Sequence, residues 1–159
     1  MQVEKNLQHA GIRIPQMSLP VANYTPGLRS GNYVYVSGQL PTEEGKLAYA
    51  GKVGADVSPE DGYAAARLCA INGLAVLKSL LGDLDRVERI VKIVGFVNSA
   101  PDFCGQPQVV NGASDLLAAA FGEKGVHARS AIGAASLPLG AAVEVELIVE
   151  VSSDAYVQG

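Results

Sequence analysis

The stretch VEVELIVEV, residues 143–151, carries the most regular pattern in the chain and decides the fold class. Successive side chains of a β-strand point to opposite faces of a sheet, so alternate residues of this stretch fall on different faces. One set is entirely apolar, whereas the other combines three glutamates with Ile148. We therefore predict a strand over residues 142–151, with one face in the core and a second face of mixed character.

Three other segments predict strands that join this one. Residues 33–36, Tyr-Val-Tyr-Val, follow the turn signal of residues 30–32 and have apolar side chains on both faces, so both faces should be covered. Residues 89–98 and 129–135 are also rich in apolar side chains. Within residues 89–98 the alternation predicts three core-facing residues, which are Val91, Ile93 and Val97.

Two segments predict helices. The first covers residues 58–81, with Ser58 as the N-cap, Pro59 at the first helical position and Gly82 just past the end. The second covers residues 106–121 and ends before another glycine. The apolar residues that approximate one face of the first helix are Ala64, Leu68, Ile71, Ala75, Leu77 and Leu81.

The order of these elements predicts the architecture. The 159 residues fit one domain, which we place at 21–159 after an N-terminal extension at 1–20. Strands, helix, strand, helix and strands predict an α+β fold in which two helices pack on one face of a mixed β-sheet. Charged residues make up only 18% of the chain, and the other sheet face would hold apolar and acidic side chains. We expect that face to pack against other subunits.

The composition argues against several classes of function. A net charge of −4 and an isoelectric point near 5.1 disfavour nucleic-acid binding, which favours a basic face. Two cysteines and no secretory signal pattern suggest a cytoplasmic protein, and no apolar run looks long enough to span a bilayer. Zinc-ligand spacing, a phosphate-binding loop, a dinucleotide fingerprint and a nucleophile elbow are all missing, so we predict neither a metal nor a cofactor.

Arg129 is the most informative polar residue. It opens a predicted strand in which no other residue as far as Leu137 is charged. Its planar guanidinium group suits bidentate binding of a carboxylate. The alternative is a structural ion pair with Glu144 or Glu146 on a neighbouring strand, which composition alone favours.

Glu144 follows Arg129 across the turn of residues 137–140. If the two strands form a hairpin, its register decides whether both side chains share a face, and a shift of one residue reverses the answer. On a shared face the carboxylate could orient a water molecule, with its pKa lowered by the arginine and raised by burial. The alternative is a solvated glutamate on the outer side of a half-buried strand.

Three further residues have both a functional and a structural explanation. Tyr24, in the loop of residues 23–27, either walls a ligand pocket or packs over the sheet edge. Asn111 lies within the second predicted helix, and without a ligand it would face solvent or bond locally. Cys104 has no histidine or other base nearby in the sequence, so we expect an inert thiol.

Two separate motifs, in matching order and spacing, make the chain similar to a known family. One is Ala-Arg-Ser-Ala at 128–131, followed by Leu-Pro at 137–138 and Val-Glu-Val-Glu at 143–146. The other lies at 32–41 and contains Val-Ser-Gly-Gln-Leu-Pro. Together they resemble the signatures of the RidA/YjgF family, and the likeness extends over about residues 24–151.

The resemblance implies both an architecture and a site. The architecture is a chorismate-mutase-like fold in a homotrimer, where three sheets form a central barrel and ligand clefts lie between subunits. The family's arginine matches Arg129. The residues that match the other functional positions of the family are Tyr24, Ser37, Gly38, Asn111 and Glu144.

The reaction implied by the resemblance is hydrolytic deamination of enamines and imines such as 2-aminoacrylate, giving a 2-keto acid and ammonia. Arg129 would bind the carboxylate, the backbone at Gly38 would contact the nitrogen end, and Glu144 would position water. A second hypothesis is binding or sensing of a small carboxylate without turnover. Ribonuclease activity, a label often attached to the family, is disfavoured by the acidic charge. Many relatives have a cysteine where this chain has Ala131, so we expect no thiol-dependent step.

Overall fold

A computed structural model describes residues 2–17 and 23–153 of the chain. In these residues the helices are α1 (Gln2–His9), α2 (Pro59–Leu81) and α3 (Gln106–Phe121). The strands are β1 (Gly27–Ser30), β2 (Tyr33–Gln39), β3 (Thr42–Glu43), β4 (Lys46–Leu47), β5 (Val87–Asn98), β6 (Ala128–Ala134) and β7 (Val143–Val151).

Five of the strands form one mixed sheet in the order β1-β2-β7-β5-β6, and β3 and β4 pair separately. Neighbours are antiparallel except β5 and β6, which run parallel because α3 carries the chain between them. Helices α2 and α3 pack together on one face of the sheet. The predicted α+β, chorismate-mutase-like class is therefore confirmed, whereas the barrel of three sheets stays a prediction.

Strand β7 lies at the centre of the sheet, which explains its regular pattern. Its five alternate apolar residues are buried under the helices, as predicted, while the other four residues of the strand are half-buried on the opposite face. The core-facing residues are Val143, Val145, Leu147, Val149 and Val151. Burying this row against two helices supplies much of the hydrophobic stabilisation of the fold.

Helix α2 begins and ends where its local signals predict. The Ser58 hydroxyl accepts a hydrogen bond from the Asp61 amide at 3.1 Å, and Pro59 opens the helix. Gly82 has a φ of 74° and donates its amide hydrogen to the Lys78 carbonyl at 2.8 Å. Such a left-handed residue after the last turn is an ordinary role for glycine.

The predicted apolar face of α2 is wrong in part. Ala64, Leu68 and Ile71 are only half-buried, because the buried face is centred on smaller residues that allow close approach of the sheet and α3. At Gly73, for instance, an added Cβ would overlap the Leu147 side chain. The buried residues along this face include Ala66, Cys69, Ala70, Gly73, Leu74 and Leu77.

By length and composition, α2 could also cross a bilayer, contrary to the expectation from the sequence. In the described fold, however, 56% of its apolar window is buried inside the protein, and the helix packs against the sheet and α3. Its apolar character is explained by this central position.

Strand β5 departs from simple alternation. Ile93 and Val97 are buried as predicted, but Val91 is only half-buried and the prediction for it is wrong. The pairing of β5 with β7 shifts between Ile90 and Lys92, so the alternation changes phase there and Ile90 takes the core position.

Strands β6 and β7 do not form a hairpin. Strand β5 lies between them, because β6 pairs with β5 in parallel at the edge of the sheet. Residues 135–142 therefore carry the chain across the end of β5, with Leu139 at a φ of 58° and Gly140 at a φ of 73°. The hairpin whose register was to decide whether Glu144 and Arg129 share a face therefore does not form.

The described part of the N-terminal extension, residues 2–17, packs onto the same core. Val3 and Leu7 of α1 are buried, and α1 contacts α3. The Asp85 carboxylate accepts hydrogen bonds from the backbone amides of Gln2 and Val3, at 2.6 and 2.8 Å, and so holds the start of the helix. The predicted boundary between residues 20 and 21 lies outside the described residues.

Within residues 2–17 and 23–153, no helix or strand covers the sheet face opposite the helices, here called the outer face. Val34 and Val36 of β2 are buried, but Tyr33 and Tyr35 on the other side of the strand are 41% and 47% exposed. Leu28 and Ile132 lie on the same face and are also exposed. The described residues thus do not supply the predicted cover of this face.

Candidate functional site

Arg129 lies on edge strand β6 and points to the helix side of the sheet. It pairs with Ile93, which in turn pairs with the buried Leu147, and paired residues share a face. Its Nη1 donates hydrogen bonds to the Asn111 Oδ1 atom at 2.7 Å and to the Ser114 hydroxyl at 3.1 Å. Both hydrogens on Nη1 are therefore in use.

The other edge of the Arg129 guanidinium group remains open. Within residues 2–17 and 23–153, no hydrogen bond joins its Nε or Nη2 atom, and neither Glu144 nor Glu146 forms the ion pair considered as an alternative. Nε and Nη2 together present the parallel N–H groups that bind a carboxylate in bidentate fashion. A half-buried arginine of this kind is suited to an anionic ligand.

Helix α3 positions the two residues that hold Arg129. Asn111 and Ser114 are three residues apart, so their side chains emerge on the same side of the helix. At Gly95, an added Cβ would overlap Val110, which shows how closely α3 packs on β5 beside the arginine. The structure thus joins the predicted Asn111 to Arg129 and adds Ser114, which the sequence analysis missed although its spacing from Asn111 is a signal.

His127 extends this group beyond Ser114. Its Nε2 atom lies 3.0 Å from the Ser114 hydroxyl, and its Nδ1 atom lies 2.6 Å from the Gly125 carbonyl oxygen. Burial, together with the positive charge of Arg129, lowers the pKa of His127, although the bond to Gly125 opposes this. We call Asn111, Ser114, His127 and Arg129 the Arg129 cluster.

Glu144 and Gly38 form a second close contact, on the outer face. A Cβ atom added at Gly38 would overlap the Glu144 carboxylate, so glycine at this position leaves the room that the carboxylate occupies. The pairing of β2 with β7 is irregular between Val36 and Gln39, which places the backbone of Gly38 at this position. Burial, and then the neighbouring charge of Glu146, raises the pKa of Glu144.

Tyr24 and Ser37 lie on the same outer face, beside an open concavity of ≈ 540 Å³. Its floor is the sheet, and its walls combine aromatic and charged side chains. The residues that line it include Tyr24, Leu28, Tyr35, Ser37, Lys92 and Glu146. We call Tyr24, Ser37, Gly38 and Glu144 the Glu144 cluster.

The two clusters do not meet within one chain. Glu144 pairs with Phe96, which pairs with Ile132, three residues beyond Arg129 on β6. Two strand spacings and three residues of β-rise separate the Cα atoms of Arg129 and Glu144 by about 14 Å. The odd offset also places the two side chains on opposite faces of the sheet.

The chain matches a known protein family over most of its length. The family described as "YjgF/chorismate mutase-like, putative endoribonuclease" matches residues 4–151. The chain belongs to the RidA/YjgF family.

Three individual proteins illustrate the likeness to other members. Protein TCP17 of Trypanosoma cruzi is 47% identical over 96% of each chain. The crystal structure of Atu1372 from Agrobacterium tumefaciens, a protein of unknown function, is 49% identical with a TM-score of 0.87, covering 95% of this chain and 94% of that one. A putative endoribonuclease from Shewanella oneidensis MR-1 is 36% identical with a TM-score of 0.91, covering 95% and 100%.

The remaining candidate residues of this RidA/YjgF family member lie apart from both clusters or contribute no reactive group. Cys104 is exposed, and its thiol contacts the Asp102 carbonyl oxygen at 3.6 Å. Ala131, at the position where a cysteine was considered, packs against the core. In the described part of the chain, no three His, Cys, Asp or Glu side chains gather into a group that could hold a metal ion.

Proposed function

We propose that the protein hydrolyses reactive enamines and imines that carry a carboxylate, such as 2-aminoacrylate, to 2-keto acids and ammonia. The observation that carries the proposal is the open Nε–Nη2 edge of Arg129, which is held by Asn111 and Ser114 and has no acidic partner among the described residues. A cationic fork oriented in this way supports recognition of a small carboxylate. Membership of the RidA/YjgF family supports the choice of reaction.

The complete site in this proposal comes from two copies of the chain. The Arg129 cluster and the Glu144 cluster face opposite sides of one sheet, so a substrate can touch both only across a subunit interface. The exposed Leu28, Tyr35 and Ile132 side chains of the outer face supply apolar surface for such an interface. A homotrimer with a cleft between each pair of subunits satisfies both observations.

The chemistry then needs few groups. After the enamine takes up a proton on carbon to become the imine, Arg129 holds the carboxylate and the Gly38 backbone contacts the nitrogen. Glu144 takes a proton from water as the water oxygen attacks the imine carbon, and it returns this proton to the nitrogen to give a carbinolamine. Glu144 then moves the hydroxyl proton to the nitrogen as the C–N bond breaks, which releases ammonia and leaves the keto group. A carboxylate with a raised pKa is a better base for this step. Orientation supplies much of the remaining acceleration.

The experiment follows clearance of 2-aminoacrylate, generated from serine by a dehydratase, as release of pyruvate. We expect the wild-type protein to accelerate release and the Arg129→Ala variant to lose about 100-fold in kcat/KM, because charge-assisted bonds to the carboxylate disappear. Arg13→Ala, which removes an exposed arginine from the N-terminal segment, should behave as wild type. Wild-type protein without acceleration would contradict the proposal.

A second candidate function is binding of a 2-keto acid without turnover, which needs the Arg129 cluster alone. Glu144→Gln separates the two functions, because it should abolish hydrolysis and leave pyruvate affinity within a few-fold. Undiminished hydrolysis in Glu144→Gln would remove the role proposed for that carboxylate. Cleavage of RNA that is lost in Arg129→Ala would instead favour the activity named in the Shewanella oneidensis relative. A cytoplasmic location is part of the same proposal.

A further inference from the structure

We propose that Ser114 and His127 are positioning residues that hold Arg129 for the carboxylate and couple carboxylate binding to the uptake of a proton. This inference rests on the proposed function, in which Arg129 binds the substrate carboxylate. It is carried by a chain of hydrogen bonds that runs from the Gly125 carbonyl through His127 and Ser114 to the guanidinium group.

The direction of each hydrogen bond in this series follows from the groups at its two ends, the Gly125 carbonyl and the Arg129 guanidinium. The Gly125 carbonyl oxygen can only accept, so the Nδ1 atom of His127 carries the hydrogen and Nε2 carries the lone pair. Ser114 therefore donates its hydroxyl hydrogen to Nε2, and its oxygen accepts from Nη1 of Arg129. Each group thus uses a donor and an acceptor in a single consistent direction.

The hydrogen bonds at Nη1 restrain the plane of the Arg129 guanidinium group. Asn111 and Ser114 take one hydrogen each from Nη1, and two such bonds from one helix fix the direction of the Nε–Nη2 edge. Without the Ser114 hydroxyl, Nη1 would keep a single partner and the fork could rotate. Removal of the Ser114 hydroxyl should therefore weaken carboxylate binding and leave Glu144, the water-activating residue of the other cluster, unaffected.

Proton coupling follows from the contact between Arg129 and His127 through Ser114. The charge of Arg129 disfavours protonation of His127, and a bound carboxylate offsets that charge. A protonated His127 would donate from Nε2 to the Ser114 oxygen, which still accepts from Nη1, so the contact with Arg129 is kept. Binding and protonation therefore favour each other, as thermodynamic linkage requires.

Other titratable groups lie on the elements around His127, and two of them are bonded to other side chains. The titratable side chains on the elements around it are Asp115, bonded to the Tyr63 hydroxyl, Glu123, Lys124, bonded to Glu88, and Lys92, on the outer face. Of the charges near His127, Arg129 is the one that acts on its titration.

The binding test uses pyruvate, the expected product, as the probe and compares Ser114→Ala with Ser114→Thr, which keeps the hydroxyl. We expect Ser114→Ala to raise the Kd for pyruvate and the KM about tenfold, with kcat within about threefold. Ser114→Thr should stay within about threefold of wild type in all three. Melting temperatures of both variants check that they fold. An unchanged Kd in Ser114→Ala would overturn the positioning role.

The proton test follows the ring signals of the two histidines by NMR as the pH is changed. Pyruvate should raise the pKa of His127, and the ring signals of His9, at the end of α1, serve as the internal reference. Arg129→Ala should raise the pKa of His127 in the free protein and remove the response to pyruvate. Pyruvate that binds without moving the His127 signals would overturn the coupling.

The outcomes separate this inference from the proposed function. Binding of pyruvate that weakens in Ser114→Ala, without any hydrolysis by the wild type, would support the inference and contradict the enzyme. Hydrolysis by the wild type with normal pyruvate affinity in Ser114→Ala would support the enzyme and overturn the inference. A wild-type protein that neither binds pyruvate nor hydrolyses 2-aminoacrylate would contradict both.

Discussion

Arg129 and Glu144 point to opposite faces of the same sheet, with strand β5 between their strands. The arginine is held on the helix side by α3, whereas the glutamate packs beside Gly38 on the outer face. If both residues serve one substrate, each site needs the arginine of one copy and the glutamate of another. Under the proposed function, assembly is therefore a condition of activity.

Mixed assemblies should recover activity from two inactive variants. In a pure homo-oligomer, Arg129→Ala or Glu144→Gln inactivates every site. When the two variants are unfolded together and refolded at equal ratio, about one site in four combines an intact Arg129 with an intact Glu144. We therefore expect about a quarter of the wild-type rate. The two variants mixed without unfolding serve as the control, and a rate after refolding no higher than theirs would place both residues in a single-chain site.

A charge on the outer face should prevent assembly. Tyr35 is 47% exposed in one chain, and Tyr35→Glu would bury a carboxylate between subunits, which costs several kcal/mol when it has no partner. We expect light scattering to give the mass of a single chain for this variant and three times that mass for the wild type. Leu80→Glu, on the helix side, should assemble normally, and a trimer of Tyr35→Glu would contradict the assignment of this face.

Gly38→Ala should displace the Glu144 carboxylate. Its Cβ would overlap that group, so we expect a loss of stability of about 1–3 kcal/mol by chemical denaturation and a fall in kcat of about 10-fold or more. The same substitution in a Glu144→Ala background removes the overlap and should cost much less stability. Equal losses in both backgrounds would show that the clash with Glu144 is not the cause.

The pH dependence of hydrolysis should follow the ionisation of Glu144. Only the carboxylate form accepts a proton, so kcat/KM should fall as the pH drops through the pKa of Glu144, which burial and Glu146 hold above the ordinary value. Glu146→Gln removes the second cause and should move this fall to lower pH. Glu150→Gln, farther along β7, is the matched control and should leave it in place.

The same raised pKa has a consequence for stability. Since the folded protein binds the Glu144 proton more tightly than the unfolded chain does, Glu144 favours folding at low pH and loses this contribution as the pH rises through its folded-state pKa. Glu144→Gln should therefore flatten the stability profile in that range, as measured by urea denaturation at several pH values. A profile with an unchanged slope would contradict the raised pKa.

Local signals in the sequence were enough to predict most elements. The N-cap at Ser58 and the glycine at Gly82 bound α2 because each acts through hydrogen bonds within one helical turn. The alternation of residues 143–151 predicted the buried face of β7, since two-residue periodicity in a half-buried strand depends only on which face meets the core. The chemistry and position of single residues pointed to Arg129, Glu144, Tyr24 and Asn111 as candidates, and the family motifs added Ser37 and Gly38.

The neighbours of each element were decided only by the tertiary structure. The faces of an alanine-rich helix such as α2 differ little in hydrophobicity. Its contact with the sheet therefore depends on which small residues permit close approach. The parallel pairing of β6 with β5 depends on the crossover through α3, which no local pattern records. Ser114 of α3 meets His127 and Arg129, which are two residues apart at the start of β6, only when α3 packs beside β6. The sequence by itself therefore determined the elements and the candidate residues, whereas long-range packing decided which of those residues lie together and which lie on opposite faces.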